Sequence, residues 1–133
     1  MNAQKLTQKA LEAIQTAQNI AIENQNIQIL PEHLFYALLD GEDGLVNNLF
    51  RKMGKNPDAL LAETDTLIRK LPAVSGSGRE PDKVYISPLT DKILTAAEKL
   101  AAGMKDEYIS VEHIMLGLLS EGGRAVRDIC ARY

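Results

Sequence analysis

The residues of this chain best suited to chemistry are two histidines, each of which follows a glutamate. They occur in the matching pairs Glu32-His33 and Glu112-His113. A carboxylate and an imidazole could hold a metal ion or transfer a proton, but adjacent residues of a helix point in different directions. We therefore expect both histidines to pack in the core or to cap a first helical turn, and we predict no metal site.

Nucleotide chemistry is not indicated by the sequence. A P-loop needs Gly-x-x-x-x-Gly-Lys followed by Ser or Thr, and the chain contains no such run. The segment Gly76-Ser77-Gly78 is glycine-rich, but no strand pattern precedes it and no helix pattern begins at it. We expect a linker there, and we expect no catalytic residues, no enzyme activity and no cofactor in this chain.

The two Glu-His pairs belong to an internal repeat with a shift of eighty positions. Residues 29–39 align without a gap to residues 109–119, and the register continues on both sides. Leu6 pairs with Ile86, for example, and Ala17 with Ala97. Because apolar and small positions match while polar ones differ, the repeat encodes a packing scheme. Cys130 aligns with Phe50 and is therefore expected to be a small core residue rather than a nucleophile.

Helical periodicity dominates both halves. Apolar and small residues recur at intervals of three and four from Leu6 to Ala21, and again from Leu89 to Met104, as on one face of a helix. Thr7 and Ser87 occupy equivalent positions before these helices and are good N-cap residues. Short second helices should begin at residues 31 and 111, and third helices should cover about 43–53 and 123–132.

A fourth helix is indicated once, where Asn56 is a cap and Pro57 a first helical residue. Its counterpart would follow Tyr133, so we expect the sequence to be a fragment. No strand-like alternation competes with these helices, so the predicted class is all-α, with two pseudo-symmetric four-helix repeats, the last helix of the second repeat being absent. We expect one domain over residues 1–133: repeat one at 1–71, a flexible linker at 72–86 and a truncated repeat two at 87–133. The leucines at positions 38, 39, 118 and 119 should be buried near the interface between the repeats.

The composition of the chain narrows the classes of molecule that it could bind. The chain has 133 residues, with 15 basic and 18 acidic side chains and a net charge of −3, and no basic stripe of the kind that nucleic acid requires. The single cysteine cannot form an internal disulfide, and neither a signal-peptide pattern nor a membrane-spanning apolar run occurs. We expect a cytoplasmic protein that binds neither nucleic acid nor membrane.

The paired Glu-His segments, the opening run from Leu6 to Gln15 and the connector from Lys70 to Gly78 together resemble the amino-terminal domain of the Clp ATPases. The connector is most similar to that of the ClpB branch, the bacterial protein disaggregases. The resemblance covers nearly the whole chain and departs from the family pattern where the last helix is absent.

The resemblance implies a substrate-recruiting module that sits above two AAA+ rings and engages unfolded or aggregated polypeptide before it is threaded. ATP would bind in the ATPase domains, which would also assemble the hexamer. Thr7, Asp106 and Glu112 match positions that the family is thought to use in contacting polypeptide, and Leu94 is a candidate for the wall of an apolar groove. Each of these polar residues also has a possible structural role: Thr7 as a helix cap, Asp106 as a loop residue and Glu112 as an acid in a first helical turn.

A second hypothesis also follows from the resemblance. Related domains in the protease-linked ClpA and ClpC branches dock adaptor proteins or regulate the ATPase. The Glu-His segments do not separate these functions, because the branches share them. The connector favours recruitment of polypeptide, and adaptor docking stays the alternative.

Overall fold

The computed structural model describes residues 3–40, 44–73 and 84–132. Seven α-helices lie in these ranges, after one turn of 3-10 helix at Ala3–Lys5. They are α1 (Gln8–Glu23), α2 (Pro31–Leu39), α3 (Leu45–Lys52), α4 (Pro57–Arg69), α5 (Pro88–Gly103), α6 (Val111–Glu121) and α7 (Gly123–Arg132). The all-α class is confirmed. The first repeat contributes α1 to α4, and the described part of the second contributes α5 to α7.

The repeats agree in detail. The bounds of α1 and α5 coincide under the shift of eighty at both ends. Thr7 Oγ1 and Ser87 Oγ accept equivalent hydrogen bonds, each at 3.1 Å, from the backbone N–H of the residue three positions later. After each helix one residue adopts the left-handed conformation, Gln25 with φ of 59° and Lys105 with φ of 60°. The predicted pseudo-symmetry is thus present in caps and turns as well as in helices.

A small parallel sheet joins the repeats, and the sequence did not predict it. Strand β1 (Gln28–Ile29) pairs with β2 (Tyr85–Ile86), and the symmetry-equivalent bridge joins Leu6 to Ile109. The segment just before the first helix of each repeat therefore pairs with the other repeat. Strands of two residues are too short to show alternation, so the sequence carried no signal for this sheet. The predicted linker at 72–86 also includes β2, while its residues 74–83 lie outside the described part of the chain.

Helices α2 and α6 lie at the centre, and small residues let their neighbours approach closely. The buried face of α1 consists of alanines at positions 10, 13, 17 and 21. A Cβ atom added at Gly117 of α6 would lie 2.7 Å from the carbonyl oxygen of Ile93 in α5, a distance that would force the two helices apart. The ends of the predicted α5 stripe, Leu89 and Met104, are exposed at 37% and 53%.

Three of the four leucines expected in the core are buried there. Leu38, Leu39 and Leu118 are at most 5% exposed, but Leu119 is 40% exposed, so the prediction was wrong for that residue. In the first repeat α4 packs against α2, the helix that carries Leu39. No counterpart of α4 is found in the described part of the second repeat, which leaves the equivalent side of α6 uncovered.

Candidate functional site

A groove of about 800 Å³ opens between the two repeats. It lies where α1, α3 and α6 begin and where α2 ends. We call it the inter-repeat groove, and it is lined by Thr7, Lys9, Glu12, Ala13, Thr16, Ala37, Leu38, Asp40, Gly44, Leu45, Val46, Ser110, Val111 and Glu112. Its size falls within the range of ligand-binding clefts in proteins.

Thr7 reaches the groove from the start of α1 and also has a structural role. Its Oγ1 accepts a hydrogen bond from the N–H of Ala10 at 3.1 Å, which satisfies a donor at the helix terminus. Its own N–H donates to the carbonyl oxygen of Ile109 at 3.0 Å. This second bond joins the start of α1 to the segment before α6 and so brings Thr7 close to the element that carries Glu112.

Glu112 reaches the same groove from the first turn of α6. It is exposed and lies on the groove wall with Thr7. Among the residues that the structure describes, the charged ones lining the groove are the acids Glu12, Asp40 and Glu112 and the base Lys9. The groove is therefore net acidic, although the start of a helix carries a partial positive charge that favours hydrogen-bond acceptors.

The floor of the groove is apolar, but Leu94 is not part of it. Leu38 and Val46 line the groove with only 5% and 2% of their surfaces exposed, whereas Leu45 at its edge is 45% exposed. Leu94 is 4% exposed and belongs to the core cluster. Its proposed place on a groove wall is corrected for that reason: Leu94 is on the inward face of α5, whereas the groove is lined by residues of α1, α2, α3 and α6 and the segments beside them.

Asp106 lies apart from the groove lining and contacts His113 instead. Asp106 Oδ2 and His113 Nε2 are 2.9 Å apart. His113 Nδ1 accepts the backbone N–H of Ser110 at 2.9 Å, and the Ser110 Oγ lies 3.0 Å from the same nitrogen. These three side chains are the types found in hydrolase triads, but here the lone pair of Nδ1 is occupied by a backbone donor. The arrangement caps α6 and does not supply a general base.

His33 has the same arrangement in the first repeat. Its Nδ1 accepts the N–H of Leu30 at 2.9 Å, and its Nε2 lies 2.9 Å from Asn26 Oδ1. The ring is fully buried, and burial lowers the pKa of His33 to about 4. Burial raises the pKa of the adjacent Glu32 carboxyl, against a smaller opposing effect of a backbone hydrogen bond. The expectation that both histidines pack in the core and cap first turns is confirmed.

Cys130 is half-buried and packs against the core. Burial raises the pKa of its thiol, and the charge of Lys55 opposes that shift; a raised pKa disfavours the nucleophilic thiolate. Among the residues that the structure describes, no group of three or more histidine, cysteine, aspartate or glutamate side chains could hold a metal ion. Nor is any helix in those ranges both long and apolar enough to cross a membrane.

Sequence reasoning missed most of the groove. Lys9, Glu12 and Thr16 recur at intervals of three and four on one side of α1, so the period of that helix could have grouped them with one another. Asp40 and Leu45 carried no such signal. They reach the groove because the end of α2 and the start of α3 pack beside the second repeat, which is a tertiary arrangement.

Two interlocked helical repeats with a groove between them define the architecture of this domain. The chain belongs to the family described as Clp repeat (R) N-terminal domain, whose model matches residues 5–131. The resemblance noted in the sequence is thereby confirmed.

Similar proteins agree with this assignment. The chain is 38% identical over 123 residues to "Chaperone protein ClpB" of Bacillus anthracis, covering 92% of this chain and 14% of that protein. It is 42% identical over 120 residues to the ClpB of Porphyromonas gingivalis, covering 90% and 13% respectively. The chain thus spans only about a seventh of these relatives.

The fold is also found in solved structures. The Hsp104 N-terminal domain from Candida albicans superposes with a TM-score of 0.84 at 24% identity, covering 96% of this chain and 81% of that one. The N-terminal domain of the ClpV1 ATPase from E. coli superposes with a TM-score of 0.81 at 18% identity, covering 95% and 77%. At these identities the likeness concerns the fold.

Proposed function

We propose that this chain is the substrate-recruiting domain of a ClpB-like, ATP-dependent disaggregase of the cytoplasm. Unfolded or aggregated polypeptide would bind in the inter-repeat groove before the AAA+ rings of the full-length protein thread it. ATP would bind in those rings, which would also form the hexamer. The relatives named ClpB support this function over adaptor docking.

The groove itself is the observation that carries the proposal. An extended polypeptide can place apolar side chains on the floor near Leu38 and Val46, while its backbone meets polar groups at the rim. Thr7 and Glu112 lie on that rim, one from each repeat. Three acids against one lysine favour clients with basic residues, and the attraction should weaken as salt is added.

Binding is expected to be weak. A groove of this size orders a flexible chain over a short length, and ordering that chain opposes the gain from burial. We expect a Kd of about 1 μM or higher, which corresponds to a binding free energy of roughly −8 kcal/mol or weaker. Such weak binding suits a client that must be passed on.

The test uses the full-length ATPase. The double substitution Glu12→Lys and Glu112→Lys reverses two charges on the groove wall, and Glu98→Lys with Glu107→Lys reverses two charges outside the groove lining. We expect the groove variant to lose capture of a heat-aggregated model protein, while basal ATP turnover stays unchanged in both. Equal capture by the two variants would contradict the proposal, and loss of binding to a purified adaptor alone would favour the alternative function.

A further inference from the structure

Asp106 is connected to the groove through one intermediate side chain. Because His113 Nδ1 accepts the N–H of Ser110, the ring proton must lie on Nε2 and donate to the carboxylate of Asp106. Ser110 and Glu112 line the groove, and Asp106 does not belong to its lining. The first turn of α6 is therefore fixed by a chain of hydrogen bonds that begins at Asp106.

The backbone holds Asp106 at the start of this chain of bonds. Lys105 adopts the left-handed conformation with φ of 60°, and the N–H of Asp106 donates to the carbonyl oxygen of Ala101 at 2.9 Å. This is a Schellman ending of α5, which fixes the direction in which the chain leaves the helix. The position of the Asp106 carboxyl beside His113 thus follows from the way α5 ends.

The first repeat contains the equivalent series of hydrogen bonds, with an amide in place of the carboxylate. Asn26 stands in the place of Asp106, and its Oδ1 lies 2.9 Å from His33 Nε2. The N–H of Asn26 donates to Ala21 at 2.8 Å, as Asp106 does to Ala101. A neutral amide oxygen therefore orients the histidine with the same geometry, so orientation does not need the negative charge.

The difference between the two residues follows from their surroundings. Asn26 is 5% exposed and its amide nitrogen donates to the carbonyl oxygen of Pro72 at 3.2 Å, a bond that a carboxylate could not make. The side chain of Asp106 is 51% exposed. A carboxylate stays hydrated there and forms the stronger, charge-assisted bond to the ring N–H.

We propose that Asp106 is a positioning residue for the groove: it orients His113, which holds the first turn of α6 and thereby places Glu112 on the groove wall. This inference rests on the proposed function, because it assigns the means by which Asp106 affects client binding. Direct contact between Asp106 and the client is the competing role.

The test compares Asp106→Asn with Asp106→Ala, using fluorescein-labelled casein as an unfolded probe. Asparagine keeps the acceptor, as Asn26 does, so Asp106→Asn should bind casein within about twofold of the unsubstituted chain. Asp106→Ala removes the acceptor and should weaken binding about fivefold or more. Glu107→Gln, which neutralises the adjacent exposed carboxylate, should stay within about twofold and controls for net charge.

A second readout separates positioning from contact. Ring ¹⁵N shifts should show the Nε2–H tautomer of His113 in the unsubstituted chain and in Asp106→Asn, but mixed tautomers in Asp106→Ala. Hydrogen exchange of the Ser110 amide should be faster in Asp106→Ala alone. The proposal is overturned if Asp106→Asn loses casein binding while its tautomer and Ser110 exchange stay unchanged, since the charge itself would then contact the client.

The proposed function can fail separately. If the unsubstituted chain does not bind casein, recruitment is contradicted, but the tautomer and exchange measurements still decide the role of Asp106. Unchanged Ser110 exchange in Asp106→Ala would then overturn positioning, and faster exchange would support it. If Asp106→Ala does not fold, the comparison of Asp106→Asn with the unsubstituted chain decides.

Discussion

Leu119 is 40% exposed, whereas Leu39, its partner under the shift of eighty, is 2% exposed. The same contrast holds on α3 and α7, where Leu49 is 41% exposed and its partner Ile129 is 3% exposed. Helix α4 packs against α2 and α7, the helices that carry the buried partners. The surface formed by Leu49, Leu116 and Leu119, which we call the α3–α6 face, is therefore the symmetry-equivalent of a helix-binding surface.

A helix like α4 should stabilise the chain by covering the α3–α6 face. We expect a copy of residues 54–71 attached directly after Tyr133 to raise the Tm by about 4 °C or more, because burial of apolar area is worth several kcal/mol. The control is the same attachment with its apolar positions shuffled. Equal melting temperatures for the two attachments, measured by circular dichroism, would refute the symmetry argument.

Replacement of Leu118 and of Leu119 by alanine should change the free energy of unfolding by different amounts. Leu118 is fully buried and Leu119 is 40% exposed. Leu118→Ala should lower the free energy of unfolding by about 2 to 5 kcal/mol, and Leu119→Ala by about 1 kcal/mol or less. Urea denaturation measures both values, and similar losses for the two variants would be inconsistent with the packing described.

Thr7 offers a separation of its capping and groove roles. Thr7→Ser keeps the hydroxyl that accepts the N–H of Ala10, whereas Thr7→Val keeps the shape and removes it. We expect Thr7→Val to lower the free energy of unfolding by about 1 kcal/mol and Thr7→Ser to lower it by less. Casein binding should fall more in Thr7→Val than in Thr7→Ser, and equal binding by both would exclude a role for the hydroxyl at the rim.

The buried His33 should make stability depend on pH. Burial lowers its pKa from 6.5 to about 4, so between those pH values the unfolded chain binds more protons than the folded chain. The contribution of the neutral His33 to the free energy of unfolding should therefore be fully present above pH 6.5. It should fall by about 2 to 3 kcal/mol as the pH falls toward 4. Glu32 acts in the opposite sense, because its raised pKa favours protonation in the folded chain.

His33→Gln tests the assignment to His33. A glutamine at this third helical position can still accept the N–H of Leu30, but it does not titrate. Urea denaturation at several pH values should show a flatter dependence in the variant. The same dependence in both chains would place the titrating group elsewhere.

Sequence periodicity predicted the helices because it reports which side of each helix is buried. The starts of α1 and α5 after the caps at Thr7 and Ser87, and the structural roles of both histidines, followed from local rules. Leu119 and Leu94 did not, because exposure depends on which neighbouring element covers a residue. The pairing of β1 with β2 and the presence of Asp40 and Glu112 in one groove depend on how the two repeats pack, which no local pattern encodes.

Central to the proposed function is binding of unfolded polypeptide in the inter-repeat groove, and amide shift mapping tests it most directly. In a titration of the ¹⁵N-labelled chain with unlabelled casein, we expect the largest shifts at lining residues from both repeats, among them Thr7, Glu12, Val46 and Glu112. These shifts should shrink as salt is added, because the groove is net acidic. Shifts confined to the α3–α6 face, or no shifts at all, would contradict the account.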